Sequence, residues 1–374
     1  MRIFIVTILF AIISSTQLTS QQTIEASIFH DGIQRSFIVY IPAIYDGSEA
    51  VPLLLNYHGY TSSALEQMEY GDFRTIADTA GFIIAHPQGT ADFLGLNHWN
   101  SGGWTLFSTV DDVGFTEAMI NGISTQLNID QNRIYSTGMS NGGFMSYLLA
   151  CQLSDRIAAI GSVTGSMSPQ TFSQCDPQRP VPVIEIHGTA DDVVSYTGSS
   201  INKSIRRVMR YWIEYNDCDP IPATENLPNL VPEDGTTALR ANFSGGLNGT
   251  EVEHIRVFGG GHDWPGSSGN MDFNASAEVW RFLSRFDING LRVAPALAKQ
   301  ITDQPVHRVF PNPFKDHLQI EGASGEPYAI MDYTGKVLMT GFLESERETL
   351  SISGLAPGLY IARIGSTSHT LIKE

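Results

Sequence analysis

The chain has 374 residues, 42% hydrophobic and 16% charged, an ordinary globular balance with room for one large domain and a small one. Its 39 acidic against 22 basic residues leave a formal net charge of -17, and a phosphate backbone needs Lys and Arg counter-charge that this chain lacks. Nucleic acid is therefore excluded as a partner, whereas a neutral or cationic partner, or plain solubility, fits the balance.

The N-terminus reads MRIFIVTILFAIISSTQLTSQQ: one Arg, an apolar run from Ile3 to Ile13, then small polar residues. This predicts a secretory signal cleaved near Ser20, because the run is too short to anchor the chain across a bilayer. No later segment is long and apolar enough, so no membrane span is expected. Three cysteines, Cys151, Cys175 and Cys218, leave an odd thiol in an exported chain. Cys151 and Cys175 are open to two readings, a bridge or two buried thiols.

Next, TIEASIF and QRSFIVYIP flank His30-Asp31-Gly32 and predict a hairpin, since Asp-Gly tolerates the positive φ of tight turns. The apolar runs VPLLLNYHG, GFIIAHPQG, NRIYSTG and VPVIEIHG read as buried strands. Between them lie helical patterns. In DDVGFTEAMINGISTQL, Phe115, Met119, Ile123 and Leu127 recur every four residues behind Asp111 and Asp112, which suit a helix N-terminus. INKSIRRVMRYWIEY and ASAEVWRFLSRF predict two further helices. This alternation predicts an α/β fold, a mostly parallel sheet with helices on both faces.

From Asp287 to Pro305 no period is sustained, and the segment reads as a linker. Beyond it, short alternating strands separated by Gly, Pro and Asp predict a small C-terminal β-sandwich. The expected plan is a signal over 1–20, a catalytic domain over 21–286, a linker over 287–305 and a sandwich over 306–374.

Within STGMSNGGF, residues 138–142 match G-x-S-x-G, a strand-to-helix corner that pushes a serine side chain outward. Ser140 follows an apolar strand and precedes the helical FMSYLLACQL, the context such a corner requires. A serine hydroxyl needs a base, and the base needs an orienting group. His262 in FGGGHDWPG is the expected base, on a glycine loop after the strand VEHIRVF; His98 is its competitor, and His58 and His187 read as structural. The expected acid is Asp191 in IHGTADDVV, with Asp192 as the neighbour to be distinguished from it. Ser140, Asp191 and His262 follow one another in the chain order of α/β-hydrolases. Developing oxyanion charge would fall on the backbone N–H groups of Asn141 and of Tyr60. Phe93, Trp99, Trp104 and Trp264 could line an acyl or sugar site, or could pin their loops to the core. No metal or nucleotide motif is visible, so no cofactor is expected.

GMSNGGFMSYLLAC, DDVGF, PVPVIEIHGTADDVV and GGGHDWPG together resemble the α/β-hydrolase family of extracellular polyhydroxybutyrate depolymerases and of feruloyl and acetylxylan esterases, from about Phe37 to Phe286. The resemblance implies that Ser140, Asp191 and His262 form a triad and that Trp264 belongs to the substrate-side loop. Two departures stand out. LRANFSGG lacks the cysteine that many relatives pair with the equivalent of Cys218, which implies an unpaired thiol, and Tyr60 replaces a small residue and narrows the site. VFPNPF, MDYTGKVL and LAPGLYIARI resemble a type IX secretion sorting domain, which implies that the secretion machinery is a partner. The expected activity is a secreted serine carboxylesterase acting on feruloyl or acetyl esters of plant polysaccharide. The alternatives are a polyester depolymerase and an inert surface-binding protein.

Overall fold

The computed structural model describes residues 21–292 apart from Trp104 and Leu106, and 308–374 apart from 322–324, 326, 333–335, 346 and 365–366. The expected signal and most of the expected linker lie outside the described residues. The chain divides into two compact units, Met1–Val293 and Ala294–Glu374.

The first unit opens with strands β1 (Gln22–His30), β2 (Ile33–Ile41) and β3 (Val51–Tyr57), helices α1 (Ala64–Tyr70) and α2 (Arg74–Ala80), and strand β4 (Ile83–Pro87). Two short strands, β5 (Thr90–Ala91) and β6 (Asn97–His98), precede α3 (Asp112–Gln126), β7 (Ile129–Met139), α4 (Asn141–Gln152) and β8 (Ala159–Val163). Then come α5 (Pro169–Gln174), β9 (Val183–Gly188), α6 (Ile205–Tyr215), β10 (Ala223–Asn226), β11 (Thr237–Phe243) and β12 (Val252–Phe258). Helix α7 (Ala275–Leu283) and the strands β13 (Phe286–Asp287) and β14 (Gly290–Leu291) close the unit.

Ten strands form one sheet in the order β1-β2-β4-β3-β7-β8-β9-β12-β11-β10. Its centre, β4 to β12, is parallel throughout, and antiparallel pairs flank it on both edges. This is the α/β-hydrolase architecture expected from the sequence. The central runs are apolar throughout because both faces are covered. Leu53 and Leu55 enter one core with Met119, Leu149 and Trp212, while Leu54 enters the other with Val279 and Phe282. That split follows from the two-residue period of a strand.

Local chemistry explains the ends of the elements. His30 pairs with Ile33 across Asp31 (φ 47°) and Gly32 (φ 80°), the tight turn expected from Asp-Gly. Asp111 caps α3 by accepting from Gly114 N at 2.9 Å. The seven-residue helices α1 and α2 are not expected from the sequence, being too short to show a helical period. Residues 287–292, read as the start of a linker, instead belong to the first unit: β13 pairs with β14, and Ile288 N donates to Asn132 O at 2.9 Å.

In the second unit, β15 (Arg308–Phe310), β16 (His317–Glu321) and β19 (Arg347–Ser351) form one sheet. β18 (Val337–Phe342), β17 (Pro327–Asp332), β20 (Gly358–Ile364) and β21 (Thr367–Lys373) form the other, in that order. Leu318 from the first sheet and Ile330, Ala362 and Leu371 from the second share one core, so the unit is a small sandwich.

Candidate active site

Strand β7 ends at Met139 and α4 begins at Asn141, so Ser140 alone makes the turn, with φ 54° and ψ -118°. A non-glycine residue at such a φ is strained and persists only where its surroundings fix it. Here Ser140 N donates to Val163 O at 2.9 Å, and the neighbouring glycines let the corner sit hard against β3. A Cβ on Gly142 would fall 2.1 Å from Tyr57 O, and one on Gly138 would fall 2.5 Å from the same oxygen. Only glycine fits at either position. Asn141 fixes the loop opposite: its Oδ1 accepts from Trp99 N at 2.7 Å, and its Nδ2 donates to Trp99 O and Ser101 Oγ.

The loops carrying Asp191 and His262 leave the neighbouring parallel strands β9 and β12 and are stitched together by hydrogen bonds. Thr189 N donates to Val257 O (2.8 Å), Ala190 N to Gly260 O (2.9 Å), and Gly259 N to Thr189 Oγ1 (2.9 Å). A Cβ on Gly188 would meet Gly260 O at 2.3 Å and Gly261 O at 2.4 Å, which is why glycine occupies this contact. The stitching brings Asp191 and His262 together: His262 Nδ1 donates to Asp191 Oδ2 at 2.8 Å. That bond leaves Nε2 as the imidazole's acceptor. Asp191 Oδ1 accepts from Val193 N (2.9 Å) and Val194 N (2.8 Å), and the residue is 5% exposed. Burial works against its charge, but the hydrogen bond and charge of His262, with His187 behind, hold the carboxyl below the usual carboxylate range. Asp192 is exposed to solvent.

Behind Asp191 lies a second histidine and carboxylate that the sequence reading did not assign to the site. His187 Nε2 stands 2.8 Å from Val194 O and 3.4 Å from Asp191 Oδ2, and its Nδ1 is 2.8 Å from Glu185 Oε1. Tyr147 donates to the other Glu185 oxygen at 2.9 Å. Glu185 and His187 are both fully buried. A carbonyl can only accept, so Nε2 carries a proton; the pair as a whole then keeps one more, on either Nδ1 or Glu185, when it is electrically neutral. Burial lifts Glu185 above its ordinary range. Burial opposes charge on His187, yet the hydrogen bond and charge of Glu185 outweigh it and raise the imidazole. His187 reads from sequence as a structural residue at a strand end, and only its neighbours reveal its contact with the acid.

Among the described residues, no hydrogen bond joins Ser140 Oγ to the His262 ring. The corner and the base loop are linked through other groups. A Cβ on Gly59 would lie 3.5 Å from Ser140 Cβ, Gly59 N donates to Tyr70 Oη at 3.3 Å, and the Tyr70 ring packs against Trp264, two residues after His262. Asn141 N occupies the first turn of α4, where N–H groups lack intrahelical acceptors. Tyr60 follows Gly59 beside the serine, and its hydroxyl is drawn to Asp92 Oδ2 at 2.7 Å.

The aromatic candidates differ in exposure. Trp99 is fully buried, its Nε1 donating to His58 O at 2.9 Å, and Trp264 is 1% exposed, its Nε1 donating to Ser276 Oγ at 3.2 Å. Both are buried and pin their loops to the core; Trp104 lies outside the described residues. The exposed aromatics are Phe93 (66%) and Phe107 (85%), in edge contact at 5.9 Å. His98, the competing base, is committed to Thr90 O and Ser108 Oγ and pairs with no carboxylate among the described residues. His58 is buried between Gly59 O and Gly89 N, and burial lowers it to about 4. Cys151 and Cys175 are bridged, and Cys218 is free and buried.

Residues 35–201 match the family described as esterase PHB depolymerase, and residues 308–374 match the secretion system C-terminal sorting domain. The second match marks the protein for the cell surface or the medium. Among curated proteins, a bifunctional acetylxylan esterase/xylanase of Neocallimastix patriciarum is 27% identical over 69% of this chain and 34% of its own length. Feruloyl esterase B of Piromyces equi is 31% identical over 61% of this chain and 42% of its length, and feruloyl esterase D of Neurospora crassa 27% over 72% and 88%. The chain thus spans less than half the length of the first two. Among solved structures, an acetyl xylan esterase from Aspergillus awamori superposes with a TM-score of 0.49 at 14% identity, covering 67% of this chain and 94% of that one.

Proposed function

From a chain that carries an esterase PHB depolymerase segment and a secretion sorting domain, we propose that the first unit is a secreted serine carboxylesterase. Ser140 Oγ attacks the ester carbonyl while His262 Nε2 takes its proton. Asp191 holds the ring in the tautomer that leaves Nε2 free and balances the imidazolium that forms. The N–H of Asn141, with that of Tyr60, receives the oxyanion, and the helix end supports its charge. His262 then returns the proton to the leaving alkoxide. Water activated by the same nitrogen attacks the acyl-enzyme and frees the acid and Ser140.

The single observation that carries this reading is the 2.8 Å bond from His262 Nδ1 to buried Asp191, on the same sheet rim as the strained Ser140 corner. Feruloyl or acetyl esters of plant polysaccharide are the favoured substrates, because the relatives above are named for them, with a polyester the alternative. Passage through type IX machinery by way of the C-terminal domain belongs to the same proposal.

Ser140→Ala should abolish both hydrolysis of methyl ferulate and p-nitrophenyl acetate and labelling by a fluorophosphonate, with the fold intact by circular dichroism. Full turnover in that variant would refute the assignment. Relative rates on methyl ferulate, acetylated xylan and polyhydroxybutyrate decide the substrate class.

A further inference from the structure

In a chain with 22 basic residues and 39 acidic ones, four of the basic residues, Lys203, Arg206, Arg207 and Arg210, fall within eight positions at the start of α6. Elsewhere in the first unit arginines commonly stand beside carboxylates, as Arg35 does with Asp112, Arg133 with Asp130 and Arg281 with Glu278. Among the described residues Lys203, Arg206 and Arg207 have no such partner, and Arg210 reaches only Glu214 in its own helix, at 2.9 Å. A cluster of cations without carboxylate partners runs against the general composition of so acidic a protein.

Arg206, Arg207 and Arg210 line an aromatic groove of about 610 Å³ between α5 and α6, together with Phe172, Tyr211, Ser204 and Glu214, the carboxylate already paired with Arg210. Phe172 lies 5.4 Å from the Tyr211 ring, with the Arg207 guanidinium and the Lys203 ammonium 5.4 and 5.6 Å from its centroid. The walls are tied. Tyr211 donates to Cys175 O at 3.0 Å, and Cys175 is bridged to Cys151 on α4. The segment that leads into α6 is tied to the loop after Val163, whose carbonyl holds Ser140 N: Lys203 N donates to Met167 O and Ser166 Oγ to Lys203 O.

We propose that this groove binds a uronic-acid-bearing stretch of polysaccharide. Sugar carboxylates would sit on Arg206 and Arg207, while apolar sugar faces lie against Phe172 and Tyr211. Guanidinium forks match carboxylates in charge and shape, and an aromatic floor suits a ring with one apolar face. A neutral polyester offers the arginines nothing. The inference rests on the esterase reading only for the expectation that the polymer is a polysaccharide.

The test uses the full chain carrying Ser140→Ala, so that binding is read without turnover. Affinity electrophoresis with glucuronoxylan, polygalacturonate and neutral arabinoxylan should show retardation by the two acidic polymers that weakens with salt. Arg206→Gln with Arg207→Gln, both at exposed positions, should weaken that binding by about tenfold or more, the equivalent of losing one good charge-assisted contact. Phe172→Ala should weaken it by a smaller factor. In the background with Ser140 restored, the double glutamine variant should turn over p-nitrophenyl acetate as the parent does, so failure of the groove and failure of the esterase reading are seen separately. Equal retardation by neutral arabinoxylan, undiminished binding in the double variant, or binding to anionic lipid vesicles with none to acidic glycans would each overturn the proposal.

Discussion

His262 and His187 each face a carboxylate through Nδ1 at 2.8 Å, yet one stands at a rim and the other is sealed. The His262 side chain is 18% exposed and its Nε2 is turned to no protein acceptor among the described residues. His187 is fully buried, and its Nε2 is taken by Val194 O at 2.8 Å. The two pairs are alike in composition and differ in what lies at the far nitrogen. That nitrogen decides whether a histidine can exchange a proton with a substrate or only shape the field around a group that does. Asp191 lies between them, bonded to the first and 3.4 Å from the second, so on the proposed reading the sealed pair can act only through Asp191.

The largest break in this comparison comes from the open pair. His262→Ala should lower kcat by about four orders of magnitude, the usual scale for loss of a triad member. His187→Gln should cost no more than about one to two orders, because it changes the acid's surroundings and leaves the proton acceptor in place. Equal losses, measured on p-nitrophenyl acetate at matched folding, would erase the distinction.

Glu185→Gln is the next test. It keeps the shape and removes one member of a buried pair, a change that costs about 3 kcal/mol or more. Its pH signature separates it from ordinary core damage. His187 is raised by Glu185, so the pair keeps a proton that an unfolded histidine releases above about pH 6.5. The stability this gives is complete below that pH and is lost as pH rises through the raised native value. Urea titrations at several pH values should show the decline in the parent and a flatter line in Glu185→Gln. Asp191 has the opposite sign. Its native value is depressed, so its contribution is complete above about pH 3.9 and is lost only as pH falls through that native value, a loss absent in Asp191→Asn.

Much of the fold and of the candidate triad was legible because the backbone leaves few options there. Gly138 and Gly142 face Tyr57 O at distances no side chain tolerates, and Asp31-Gly32 makes a turn that few other pairs make, so residue identity reports geometry directly. Central strands buried on both faces read as apolar runs. Side-chain destinations were not legible in the same way. Trp99 and Trp264 sit in glycine-rich loops whose composition suits a pocket wall and a core pin equally, and only their indole bonds to His58 O and Ser276 Oγ decide. Glu185 and His187 share a face of β9 through the two-residue period of a strand, but the contact of His187 with Asp191 arises from the turn after β9, which the residues alone do not specify. Short elements such as α1 and α2 carry too few residues for a period to emerge.

Two smaller tests probe how the open pair is held. Gly188→Ala would push a methyl into the carbonyls of Gly260 and Gly261, parting the acid and base loops; it should cost about 2 to 3 kcal/mol and lower kcat while KM on small esters holds. Trp264→Phe is milder. It removes an indole N–H bonded to Ser276 Oγ at 3.2 Å and keeps an aromatic ring against Tyr70 and Phe73, so a stability loss of about 1 kcal/mol is expected. Because the ring is buried, KM for methyl ferulate should not move, whereas Phe93→Ala or Phe107→Ala should raise it if those exposed rings receive the aryl group. A KM shift in Trp264→Phe equal to that in the phenylalanine variants would return the tryptophan to the substrate side and would mean that the loop opens in solution farther than its packing implies.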